Sequence, residues 1–323
     1  MTDELELLRR ANPVPADGPH FGDGPLDHRA ERHLNRLLRE ETPSRRPLRK
    51  AVWGLAATAV VAATVSALLL SGPSTAPAVA APRPLVVQAG STPVPLDRLA
   101  ERARAAAADG APGLRKGTHV QSWSLGMEDD RPPVTLPEER VVRWRADGSR
   151  TELVVATDPR HPGRPVLTDE GGAARRVADG HVLSDRTYPP SWSDAPPESS
   201  PPHDPAHLRA YLAEVAHSTS PTTTELLDAT AELLDHWTLG PRESAALAGL
   251  LADGGHLRPV GRVTDRLGRR GQAYVLDAPG IRRMLIMDPA TGAVLGLETT
   301  FTTAGPEYGV QAGDVMQYSA WMR

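Results

Sequence analysis

His203, Asp204 and His207 carry the spacing in this chain that comes nearest to a metal site. On a helix the two imidazoles, at i and i+4, would share one face, and zinc would still need a third ligand from His217 or a remote carboxylate. Asp204 stands immediately before Pro205, however, and that pair has the chemistry of a helix start. An aspartate oxygen caps the first amides, and proline suits the first turn because its missing N–H would have had no helical partner. The expectation is therefore a cap among solvated histidines, with no metal. Asp288 and Glu298 raise a similar question, since they flank the last predicted hairpin and could imitate a carboxylate pair. Asp288 opens the run Asp288-Pro289-Ala290-Thr291-Gly292, where an aspartate bonds its own backbone, so a turn role is expected instead.

No G-x-S-x-G, G-x-G-x-x-G, P-loop or H-E-x-x-H run occurs in the 323 residues. Absence of cysteine removes disulfides, thiolate metal sites and cysteine nucleophiles together. The chain thus offers no catalytic residue, no cofactor-binding residue and no metal ligand set, and it reads as a non-enzyme. Lys and Arg total 36 against 40 Asp and Glu, which lacks the basic excess that nucleic-acid binding draws on.

The side chains that could meet a partner are apolar. Leu26, Ala30, Leu34, Leu37 and Leu38 recur at helical spacing, while Arg29, Arg32, Arg36 and Arg39 make the opposite face basic. Leu34, Leu37 and Leu38 either lie on the anionic inner leaflet or dock a cytoplasmic protein. Trp192, within a proline-rich stretch from Tyr188 to Pro205, is the one tryptophan whose setting predicts exposure. That stretch is expected to be a surface loop, with a mobile lid as the alternative. Trp123, Trp144, Trp237 and Trp321 are expected to fill the core.

Ala51 to Leu70 reads AVWGLAATAVVAATVSALLL, twenty residues without a charge. At ~1.5 Å per residue a helix of that length reaches about 30 Å, the thickness of a bilayer's hydrocarbon core. Arg45, Arg46, Arg49 and Lys50 crowd its N-terminal edge, which predicts a cytoplasmic tail and a C-terminal domain outside the cell. A cleaved leader is the competing reading, because Ala78-Val79-Ala80 supplies an A-x-A pattern. The long segment ahead of the apolar run favours an uncleaved anchor. Ser71 to Pro95, with six prolines, is expected to be an extended stalk, and residues 96–323 an outer domain.

Within that domain Leu96, Leu99, Ala100 and Ala103 predict a helix ending near Asp109. Period-two runs at 118–125, 140–145 and 151–156 follow, the last two joined by Ala146-Asp147-Gly148-Ser149, a hairpin signal. Shorter runs at 165–168, 173–177 and 181–184 extend the predicted meander. Three helices start at Asp204-Pro205, at the capping box Thr222-x-x-Glu225 and at Gly240-Pro241. Strands are predicted again at 260–267, 272–277, 282–287, 294–301 and 315–322. The fold class expected is α+β: a single transmembrane helix plus an antiparallel sheet with a three-helix insertion packed on it.

Several of these motifs carry a family resemblance. The opening Asp3-Glu4-Leu5-Glu6-Leu7-Leu8, the basic edge with its apolar anchor, Trp144-Arg145-Ala146-Asp147-Gly148-Ser149, the run from Pro221 to Leu227, and Met287 to Gly292 with Val294 and Leu295 resemble an uncharacterised actinobacterial family of single-pass membrane proteins. Such proteins are often encoded beside extracytoplasmic-function sigma factors. The resemblance implies a regulator of the cell envelope whose tail contacts a cytoplasmic partner, a sigma factor or another protein. A helix followed by a curled antiparallel sheet is also similar to the lipoprotein-carrier and sigma-regulator half-barrel, which implies an apolar ligand or lipid as the alternative partner.

Overall fold

Ala273-Tyr274-Val275 and Met284-Leu285-Ile286-Met287 are apolar without alternation, a pattern that requires cover on both faces of the sheet they join. The structure, a computed structural model, describes residues 82–109, 113–127, 132–170, 172–190, 193 and 195–322. Leu34, Leu37, Leu38, the run from Ala51 to Leu70, and Trp192 lie outside these residues. Among the described residues no helix is long and apolar enough to cross a membrane.

The architecture is α+β. Twelve strands are described: β1 Arg115–Gly126, β2 Val134–Trp144, β3 Arg150–Ala156, β4 Val166–Thr168, β5 Arg175–Val177, β6 His181–Tyr188, β7 Trp237–Thr238, β8 Arg258–Thr264, β9 Arg270–Ala278, β10 Ile281–Met287, β11 Val294–Phe301 and β12 Val315–Met322. Four helices accompany them: α1 Leu96–Ala108, α2 Pro205–Val215, α3 Thr223–Leu234 and α4 Pro241–Gly254. Neighbours in the large antiparallel sheet run β6-β3-β2-β1-β12-β11-β10-β9-β8, and β7 adds to β1. Two local meanders therefore meet where the first strand pairs with the last, with Val120 opposite Trp321 and Trp123 opposite Tyr318.

One face carries the helices. Leu99 of α1, Leu212 of α2, Leu227 and Leu233 of α3, and Leu247 and Leu250 of α4 pack with Tyr274, Leu285, Met287 and Trp321 of the sheet. Each such leucine contributes about 1.5–3 kcal/mol by leaving water. The opposite side chains of the same strands form a second cluster of Trp123, Ala273, Val275, Met284, Ile286 and Tyr318, with Leu85 and Val87 packed against it.

Those last two residues belong to the expected stalk, and its described part differs from a free-standing spacer. Val87 bridges Val263 of β8, the Gln88 N–H donates to the Arg262 carbonyl at 2.8 Å, and the Arg262 N–H donates to Ser91 Oγ at 2.9 Å. The segment covers part of the free edge of β8, whose backbone groups would otherwise be unpaired. Gly261, at φ +117°, lies directly against Ser91, in a position where a side chain would collide.

The predicted meander is also modified. β4 and β5 pair only with each other, while β3 pairs directly with β6. At three residues each, they are too short to continue the main sheet. The helix starts lie where capping chemistry predicted them: Asp204 accepts from the Ala206 and His207 amides, and Thr222 and Glu225 form a reciprocal capping box. The prolyl stretch before α2 is fastened to α2 and β7, with Tyr211 Oη donating to the Ser199 carbonyl at 2.9 Å and Trp237 Nε1 to the Pro197 carbonyl at 2.9 Å.

Candidate functional site

Glu298 is where the structure concentrates its electrostatics. It sits on β11 with 1% of its surface exposed, and Arg266, from the turn between β8 and β9, reaches it across the sheet face. The Arg266 guanidinium donates to Glu298 Oε2 and, through Nη2, to the Arg83 carbonyl at 3.0 Å. Glu298 Oε1 accepts the Leu85 N–H at 2.8 Å. A buried ion pair thus holds residues 83–85 at the point where the N-terminal segment comes onto the sheet.

Charges and rings alternate away from this clamp. Arg266 lies 5.1 Å from the Tyr318 ring centre, Tyr318 is 5.6 Å from Trp123, and Arg160 is 5.0 Å from the Trp123 ring centre. Asp158 takes both Arg160 Nε at 2.9 Å and Nη2 at 2.7 Å. The series crosses the β1–β12 junction, so the clamp and the join between the two meanders share one packed layer. Burial pushes the Glu298 carboxyl above the ordinary glutamate range despite the opposing charge of Arg266. Burial also pushes the Tyr318 phenol up. For Asp158 burial acts upward too, but the hydrogen bonds and charge of Arg160 outweigh it and the net direction is down.

On the helix side, Arg140 Nε donates to the buried Glu152 at 2.6 Å, and its Nη1 stands 3.8 Å from Asp235. Arg140 engages Glu152 through Oε1, while Glu152 Oε2 is buried without a hydrogen-bond partner.

The residues singled out by spacing separate. Asp204 is a cap, with His207 Nδ1 at 3.0 Å, and His203 instead faces an opening between α1 and α4. Among the described residues no three histidine or acidic side chains converge as metal ligands. Asp288 caps its own turn through the Ala290 and Thr291 amides, so it forms no acid–base pair with Glu298. Trp123, Trp237 and Trp321 are buried as expected, whereas Trp144 is only half-buried, stacked under Lys116 with Nζ 3.8 Å from the ring centre.

Two openings are notable. One beside Leu234, Trp237, Val294 and Trp321 has about 20 Å³, room for about one water. At that place the expectation of an enclosed apolar ligand gains no support. The other, about 340 Å³, lies between α1, the entry to α2 and α4, and is lined by Arg104, His203 and Arg242 over Ala107, Pro205 and Ala245.

Sequence reasoning missed Arg266 and the cleft arginines. Arg266 lies in Asp265-Arg266-Leu267-Gly268-Arg269, which reads as a solvated hairpin turn. The signal available was Leu85-Val86-Val87, an apolar run with two β-branched valines, too apolar for a plain spacer.

Neither a protein-family model nor a curated protein matches the chain. Among solved structures, the dehydratase domain from the CurK module of curacin polyketide synthase is 10% identical, the match covering 68% of this chain and 77% of that one at a TM-score of 0.11. A bifunctional dehydratase-cyclase domain in ambruticin biosynthesis is 17% identical, covering 73% and 84% respectively, also at a TM-score of 0.11. Similarity of that degree carries no argument about fold or chemistry.

Proposed function

We propose that this chain is a non-enzymatic regulator of the cell envelope, tethered by a single membrane helix at Ala51 to Leu70, with its tail in the cytoplasm and residues 96–323 outside. The observation that supports this reading best is the Arg266–Glu298 clamp. It fastens residues 83–85, which follow the apolar run in sequence, to a sheet packed on both faces. The basic edge of the apolar run supports the orientation, and Leu34, Leu37 and Leu38 supply the contact for a cytoplasmic protein, for which a sigma factor is the specific candidate.

The test is co-purification. Full-length chain extracted from membranes should bring down a sigma factor, and Leu34→Asp with Leu37→Asp should abolish the association while leaving the amount of chain unchanged. Recovery of no such factor, or equal recovery with the doubly substituted tail, overturns the regulatory reading. Protease added to intact cells should digest residues 96–323; their survival would remove the topology.

A further inference from the structure

We propose that the cleft between α1, the entry to α2 and α4 binds a phosphate ester, with Arg104 and Arg242 as its principal ligands. The pair of guanidinium groups and the His203 imidazole line one opening of about 340 Å³. Among the described residues none of the three has an ion pair or hydrogen bond. That contrasts with Arg140, Arg160, Arg266, Arg269, Arg282 and Arg283, each of which meets a carboxylate. Cations gathered in a concave opening without counter-charge focus a positive field into it, and an anion relieves their mutual repulsion.

Nearby acids are committed elsewhere. Asp204 Oδ1 accepts the Ala206 and His207 amides at 3.0 Å each, and Glu243, next to Arg242, is buried against Gly240. Arg104, like His203 and Arg242, is exposed at the opening. Its Nη2 lies over Gly249 of α4, 3.7 Å from where a β-carbon would stand, beside Pro205. Two planar forks lining one cleft match the oxygens of a phosphate, which accept bidentate hydrogen bonds from arginine. The volume is near the low end of small-molecule sites, roughly 300–1,000 Å³, and suits a group the size of glycerol phosphate, its carbon part against Pro205 and Ala245. The same chemistry is offered by a free phosphate ester and by a phospholipid headgroup. The inference does not rest on the membrane reading, because a soluble ester would enter the cleft whether or not Ala51 to Leu70 spans a bilayer.

The test uses full-length chain in uncharged detergent micelles titrated with glycerol 3-phosphate by calorimetry, with and without phosphatidylglycerol in the micelles. Saturable binding is expected, weakened roughly tenfold or more in Arg104→Ala/Arg242→Ala and unchanged in Arg175→Ala on the remote β5. Loss of the glycerol phosphate signal in phosphatidylglycerol micelles, but not in phosphatidylcholine micelles, identifies the lipid as the source. Equal signals identify the free ester. Arg104→Lys/Arg242→Lys keeps the charge but not the fork, and its intermediate affinity keeps the test valid should the alanine pair disturb folding. Absence of saturable binding to either probe, or identical affinity in wild type and both double variants, overturns the proposal.

Discussion

A buried charge pair is worth most as a constraint, and Arg266–Glu298 shows why. Removing either partner strands the other in a site where Glu298 is 1% exposed, so Arg266→Ala or Glu298→Ala should cost about 3–5 kcal/mol in urea unfolding. Replacing both by well-packed apolar residues should cost much less. The pair also sets a pH dependence. Burial holds the Glu298 carboxyl above its ordinary value of 4.5, so across the interval from there to its folded-state value the native protein keeps a proton that the unfolded chain has lost. Its contribution is therefore fully present below the ordinary glutamate value and declines as pH rises through the folded one. Asp277, held low chiefly by its hydrogen bond to Arg282, acts in the opposite direction. The measurement is the difference in unfolding midpoint between wild type and Glu298→Gln as pH rises. The decline specific to wild type should vanish in the variant, and parallel curves would show that Arg266 cancels the effect of burial. Asp204 and Asp288 were legible as caps because their partners lie within three residues. Glu298 was not, because its cation is 32 residues away in a turn that reads as solvated.

Elements whose ends are set by local chemistry behave as their residues dictate. Thr222 and Glu225 satisfy two amides reciprocally at the start of α3. Thr222→Ala should cost about 1 kcal/mol, read as a lower urea midpoint with unchanged slope; no change would mean that α3 is held by its buried leucines alone. Gly292 is set by the tertiary structure as well as by its turn. At φ +68° it closes the Asp288 turn, and a β-carbon there would stand 2.8 Å from Ala103 Cβ on α1. Gly292→Ala should therefore destabilise by more than the 1 kcal/mol or so of a left-handed alanine, because α1 must also shift; circular dichroism on heating provides the check. The four helices among the described residues and the C-terminal hairpins followed from apolar spacing, capping and alternation. The first half of β2 did not, because Pro137 interrupts its pattern, and that proline is tolerated just beyond the end of pairing with β3 at Glu138.

At the scale of the whole molecule, the segment preceding α1 acts as part of the sheet. A fragment beginning at residue 96 lacks Leu85 and Val87 over the second core cluster and exposes the edge of β8. It should unfold at lower urea than a fragment beginning at residue 82 and aggregate more readily, by exposed apolar surface and a free strand edge. Light scattering of the two fragments at equal concentration measures this, and indistinguishable behaviour would show the segment to be a passive linker. From sequence alone came the α+β class, the starts of the four helices among the described residues, the hairpins and the caps, all of which depend on residues within one turn or one hairpin of each other. Tertiary structure alone decided that the first strand pairs with the last, that the described part of the expected stalk lies on the sheet, and that Arg104, His203 and Arg242 share one cleft. Each of those outcomes depends on contacts between segments far apart in the chain, where closure entropy is offset by many weak interactions at once and no local pattern records which segments will meet.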